Sequence, residues 1–165
     1  LKIRMQEISD QSSKLDDQER LLDYREQNAR AGYVYVISNI GAFGEGVFKI
    51  GMTRRLEPME RVDELGDASV PFRFDVHALV FSDDAPTLEA KLHARFASGR
   101  LNKVNGRKEF FRADLKEVEE VIRANYDAVV EVVHTAPAEQ YRESLLLGQT
   151  TAKVAENPYA DKSAD

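Results

Sequence analysis

Residues 33-YVYVIS-38 and 47-VFKIGM-52, joined by 39-NIGAFGEG-46, decide how this chain folds. Aromatic and β-branched side chains fill the first run, as suits a pleated, half-buried strand. The connector holds three glycines and an asparagine, so the two runs read as a β-hairpin with a loop longer than the tightest two-residue turn. Alternation then assigns faces, because successive side chains of a strand point to opposite sides. Val34 and Val36 share one face of the first strand; Tyr33, Tyr35 and Ile37 share the other. In the second strand Phe48, Ile50 and Met52 are the apolar set, and matching apolar face to apolar face turns Lys49 and Gly51 toward the tyrosines.

Working outward, 57-EPMERVDELGD-67 has Pro58 at a first-turn position, Met59, Val62 and Leu65 on one side and Gly66 at its end, which predicts a helix. A third strand is expected over 71-PFRFDVHALVF-81 from the alternation of Phe72, Phe74, Val76, Ala78 and Val80. In 82-SDDAPTLEAKLHARF-96, Asp83 or Asp84 caps a helix with Leu88, Leu92 and Phe96 inward. Residues 105-NGRKEFF-111 read as a turn and a short extended piece. Asp114 with Glu117 forms a capping-box pattern ahead of a Leu115/Val118/Ile122/Tyr126 stripe. The run 128-AVVEVVH-134 suits a strand or a helix; 137–147 is helical in pattern, and 148–165 has the composition of a disordered tail.

Before the hairpin, residues 1–30 contain neither glycine nor proline among positions 1–30, and Leu1, Ile8, Leu15, Leu22 and Ala29 recur every seven residues. That is half of a coiled-coil seam, since Arg4, Gln11, Gln18 and Arg25 occupy the companion positions. The expectation is a helix that self-associates along this stripe or stands alone in solvent. Leu rather than Met at position 1 suggests a piece of a longer chain. Three regions follow: a helical, coiled-coil-like extension (1–30), a central domain (31–135), and a helix with a flexible tail (136–165). The fold class is α/β, more narrowly α+β: a small three-stranded, mainly antiparallel sheet flanked by helices, with an N-terminal helix and a C-terminal helical extension.

The chain of 165 residues is long enough to bury a core unaided. It has no cysteine, which excludes disulfides and thiolate metal sites and fits a reducing compartment. No apolar run approaches the ~18 residues of a membrane span. Net charge is −6, yet Arg95, Arg100, Lys103, Arg107, Lys108 and Arg112 crowd one strip with Glu109 as its only acid. With screening over roughly 8–10 Å, such a strip binds phosphate on an acidic protein, or is simply a solvated basic loop.

Taken together, 32-GYVYVI-37, 48-FKIGMT-53, the arginine of 58-PMERVDEL-65, 88-LEAKLHARF-96 and 105-NGRKEFF-111 resemble the GIY-YIG nuclease superfamily. The likeness is closest to its phage and bacterial subgroup, often fused behind a coiled coil. It covers about residues 32–115, and it rests on five short motifs in order rather than on any one. The resemblance implies a Mg²⁺- (or Mn²⁺-) dependent endonuclease acting on nucleic acid, DNA first, in the cytoplasm of a bacterial or phage-infected cell, with no membrane partner.

The same resemblance implies roles residue by residue. Tyr35, otherwise an ordinary strand tyrosine, becomes the residue that activates water, with Tyr33 beside it. Lys49 stands where the second signature usually has tyrosine; a cation near Tyr35 favours its phenolate, and the alternative is a lysine snorkelling from a strand edge. Gly51 allows close backbone approach or marks a bulge. Arg61 matches the catalytic arginine, whose guanidinium fork suits charge building on phosphorus. Glu89 matches the metal-binding glutamate, and His93, one turn on, orients it, touches phosphate or moves a proton. Arg54, Arg55, Arg95, Arg100, Lys103, Arg107 and Lys108 hold the nucleic acid, and Asn105 stands in for a late family asparagine. Two departures count the other way: Lys49 itself, and Leu65 where many members carry a histidine. They support the alternative of a catalytically weak or inactive module that binds nucleic acid or a protein partner.

Overall fold

The computed structural model describes residues 2–126 and 131–155. Helix α1 (Lys2–Gln27) leads into strand β1 (Gly32–Ser38), a single turn α2 (Ile40–Phe43) and strand β2 (Val47–Thr53). Then come α3 (Pro58–Asp67), β3 (Asp75–Ser82), α4 (Ala85–Arg95), a 3₁₀ turn (Ala97–Gly99), β4 (Phe110–Arg112), α5 (Leu115–Ala124) and α6 (Glu139–Ala155). The fold is α+β, but the sheet has four strands rather than three, all antiparallel, in the order β3-β1-β2-β4. The fourth is only three residues long, too short for alternation to reveal it. Phe110 lies opposite Lys49 and Arg112 opposite Val47.

The hairpin register pairs Tyr35 with Gly51, Val36 with Ile50 and Ile37 with Lys49, so the faces fall as alternation requires. On one face Val34, Val36, Phe48 and Ile50 meet Leu88 and Leu92 of α4 and Val118 and Ile122 of α5. The other face carries a smaller cluster of Tyr35, Ile37 and Val62 from α3, with Leu65 packed against it. Burying aliphatic side chains of this kind contributes ~1.5–3 kcal/mol each, so the larger layer fixes how α4 sits on the sheet.

Local chemistry sets the helix starts. Asp84 caps α4, its carboxylate accepting from Thr87 N at 3.3 Å and Thr87 Oγ1 at 2.7 Å. Asp114 caps α5 through Lys116 N at 3.0 Å. The third strand starts at Asp75, not Pro71, because β1 ends opposite it at Ser38 and the Phe72 carbonyl accepts from Asn39 Nδ2 at 2.7 Å. His77 is buried and structural: its Nδ1 donates to the Val133 carbonyl at 2.6 Å, leaving Nε2 to accept from Ser38 Oγ at 2.7 Å. That anchors the segment ahead of α6.

Residues 128–130 of the apolar run 128–134, and the end of the expected tail from 156, lie outside the described residues. Residues 131–134 form neither strand nor helix, and α6 runs through Ala155, past the expected end at 147. Along α1, Ile8, Leu15 and Leu22 are exposed, whereas Ala29 of the same heptad series falls in the turn after the helix ends at Gln27. Among the described residues no helix is long and apolar enough to cross a membrane.

Candidate functional site

Gly51 solves a packing problem rather than marking a bulge. Tyr35 is directly across the ladder from it, and its ring occupies the space a side chain at position 51 would need. A Cβ at position 51 would stand 2.5 Å from Tyr35 Oη and 2.6 Å from Cζ. Tyr35 is 2% exposed. Burial pushes its phenol up to about 12, Glu109 and Glu89 add to the rise, and the Arg61 guanidinium opposes it. Arg61, reaching in from α3, is thus a cation close enough to act on the Tyr35 phenol. Arg61 also lies 3.5 Å from Glu64, one turn on.

Lys49 points from the same face one step along β2, opposite Ile37. Its ammonium lies 3.7 Å from Glu109 Oε2 and 5.1 Å from the centre of the Phe110 ring. Burial lowers its pKa, Glu109 raises it, and the nearby positive charges of Arg61 and Lys108 lower it further. Lys49 thus feels two further cations as well as the carboxylate of Glu109.

On the other side of β2, helix α4 brings Glu89 and His93 to the same edge. Pairing with β4 ends just beyond Lys49, where Ile50 N donates to Glu109 O at 3.1 Å. The Ile50 carbonyl accepts from His93 Nε2 at 2.7 Å. The imidazole also stacks against Phe111, with ring centres 4.9 Å apart. Glu89 Oε2 is buried and has no hydrogen-bond partner. Burial and the negative charge of Glu109 lift the Glu89 carboxyl to about 7, while Lys49 holds it down. One donor atom from each of Glu89, His93 and Glu109 lies within 4.8 Å of the other two.

The expected phosphate contacts divide into three groups. Arg55 is in an ion pair with Glu64, and Arg95 lies 3.6 Å from Glu117. Arg100 stacks over Phe111 and donates to the Gly106 carbonyl at 3.0 Å, bracing the 101–108 loop. Lys103, Arg107 and Lys108 are exposed on that loop, whose backbone is held by Asn102 and Asn105. Asn105 accepts from Arg107 N at 3.0 Å, a turn-forming contact. Arg54 packs near Gly32. Tyr33 meets Phe81 edge-on at 5.2 Å. Leu65, at the position where many members of the resembled superfamily carry a histidine, packs against the smaller apolar cluster.

Glu109 is the residue that sequence reasoning passed over, having counted it only as the one acid in a basic strip. Its signal was the position directly ahead of 110-FFR-112, which pairing with β2 places beside Lys49 and Ile50. Residues 32–125 match the T5orf172 domain. No curated protein matches the chain, and no solved structure does.

Proposed function

The chain belongs to the T5orf172 domain family, a phage-associated domain related to the GIY-YIG nuclease fold, and from that premise we propose that it is a divalent-metal-dependent endonuclease that hydrolyses phosphodiester bonds in DNA. The observation that carries this reading is the convergence at one edge of β2. A buried, unpartnered carboxylate oxygen belongs to Glu89, which lies within electrostatic reach of Lys49 and the Tyr35 phenol, as Arg61 does of that phenol. Lone acidic oxygens without partners are costly inside proteins, so a cation at Glu89 accounts for one here. A carboxylate completed by water and phosphate oxygens suits Mg²⁺ or Mn²⁺.

A bound divalent cation would supply charge neutralisation at the scissile phosphate and a more acidic water. Arg61 would hold the non-bridging oxygens as negative charge builds on phosphorus, with a fixed fork that needs no reorganisation. Lys49, oriented by Glu109, would add positive charge on the adjoining side. Tyr35 stays a neutral phenol at ordinary pH because burial raises its pKa to about 12. Its role is then to orient the attacking water by hydrogen bonding and to relay a proton, rather than to act as a standing phenolate. His93 positions the backbone of β2 against α4. Lys103, Arg107 and Lys108 would grip the phosphate backbone, which gives affinity without sequence readout. A second copy pairing along the exposed Ile8, Leu15 and Leu22 stripe of α1 belongs to the same proposal.

A binding module is the alternative, because a phenol that burial keeps neutral is a poor base. Supercoiled plasmid and single-stranded DNA incubated with the protein and Mg²⁺ or Mn²⁺ separate the two. Cleavage that requires the metal and disappears in Glu89→Ala is the expected result. Cleavage that persists in Glu89→Ala removes the metal from Glu89, and binding without cleavage across several divalent ions leaves the module.

A further inference from the structure

Glu109 has so far only an ion pair with Lys49, yet its carboxylate faces Glu89 and His93 across less than 4.8 Å. Two carboxylates at that range need positive charge between them. A proton shared through the other oxygen would still leave the buried Glu89 Oε2 without a hydrogen-bond partner. Lys49 reaches Glu109 at 3.7 Å, longer than a hydrogen bond, and leaves that buried oxygen unserved.

His93 supplies the deciding detail. A backbone carbonyl can only accept, so the 2.7 Å contact with Ile50 O puts the ring proton on Nε2 and the lone pair on Nδ1. A histidine that ligates a metal through one nitrogen characteristically donates its other N–H to a carbonyl or carboxylate, which fixes the ring and its tautomer. Both partners in this arrangement are backbone-anchored to β2: His93 through Ile50 O, and Glu109 through its own carbonyl on Ile50 N at 3.1 Å. Glu89 stands one turn before His93 on α4, so the helix presents both from one side.

We infer that Glu89, His93 and Glu109 form a single three-donor cation site, and that its imidazole nitrogen makes it prefer Mn²⁺ to Mg²⁺. Oxygen-only sites suit Mg²⁺, which keeps most of its water, whereas imidazole ligation favours later divalent ions. This deepens the nuclease reading by naming the ion and two further ligands, and its geometry stands without any assumption about the reaction.

Metal binding to the full chain tests it with no nuclease assay. Calorimetry and Mn²⁺ electron paramagnetic resonance should show one Mn²⁺ per chain, held ~10-fold or more tighter than Mg²⁺. Glu109→Gln should weaken Mn²⁺ binding by about 10–100-fold. Lys49→Met, which breaks the same ion pair from the other end, should leave Mn²⁺ binding as tight or tighter. In the unaltered chain, diamagnetic Zn²⁺ should shift the ¹⁵N resonance of His93 Nδ1 and leave Nε2 protonated, a readout that no folding defect can spoil. Wild-type Mn²⁺ affinity in a folded Glu109→Gln, or an unmoved Nδ1 at saturating Zn²⁺, overturns the inference and leaves a one-carboxylate nuclease site intact. An effect of Lys49→Met equal to that of Glu109→Gln overturns it too, because the ion pair would then explain both. Absence of any metal binding removes this inference and the nuclease reading together.

Discussion

Glu89→Gln should make the metal-free protein more stable, although it destroys the site. In the folded chain the Glu89 carboxyl titrates near 7, against an ordinary 4.5, because burial and Glu109 disfavour its charge. A carboxyl with a raised folded pKa holds its proton in the folded state while the unfolded chain has lost it. Stability is therefore highest below pH 4.5 and falls as pH rises toward 7. Integrating that shift gives an upper bound of ~3 kcal/mol lost at pH 8. The group is partly exposed, and solvent screening reduces the figure to about 1–2 kcal/mol. The amide keeps the shape without the charge, so thermal unfolding in EDTA at pH 8 should rise by roughly 2–8 °C in the variant. At pH 5, where the native carboxyl is protonated, the two proteins should melt within a degree or two of each other. Adding Mn²⁺ at pH 8 should reverse the order by stabilising only the parent protein. Equal melting temperatures at pH 8 in EDTA, or a variant less stable there than the parent, would refute the claim that the charge on Glu89 is buried at a cost.

Gly51→Ala should destabilise the fold by about 1–3 kcal/mol, as overpacking does, and displace the Tyr35 ring; chemical denaturation measures the first, and recovery of stability in Gly51→Ala/Tyr35→Ala attributes it to that contact. Lys49→Ala should slow cleavage by roughly 10²–10⁴ in single-turnover assays with little change in DNA affinity; a near-normal rate returns the lysine to a side chain that merely lines a strand edge. Replacing Lys103, Arg107 and Lys108 together by alanine should reduce the slope of log affinity against log salt by about 2–3, one counterion per lost phosphate contact. An unchanged slope in fluorescence anisotropy would mean that the 101–108 loop does not meet the backbone.

How far the chain explained itself varied with the range of the signal. The hairpin faces were legible because a period of two leaves no freedom once Val34 and Val36 are matched with Phe48, Ile50 and Met52. The caps at Asp84 and Asp114 were legible because a capping side chain acts on its own helix. Strand β4 was not, since Phe110–Arg112 is too brief for a pattern and exists only by pairing with β2. The same pairing concealed Glu109, whose neighbours in sequence are basic while its neighbours in space are Lys49 and Glu89. Gly51 was noticed, but its reason lies in the bulk of Tyr35 across the ladder, which composition cannot specify. Arg61 was placed on the right helix by its motif; that it comes close enough to lower the Tyr35 pKa depends on how α3 packs over β1.

The most direct test of the central claim is single-turnover cleavage of end-labelled duplex DNA by the full chain as Mn²⁺ or Mg²⁺ is titrated from zero. Strand scission should appear only with the metal, vanish in Glu89→Gln, and fall by about 10²-fold or more in Arg61→Ala while DNA binding persists in both. Scission in excess EDTA, or a Glu89→Gln protein that cuts at the parent rate, would contradict it.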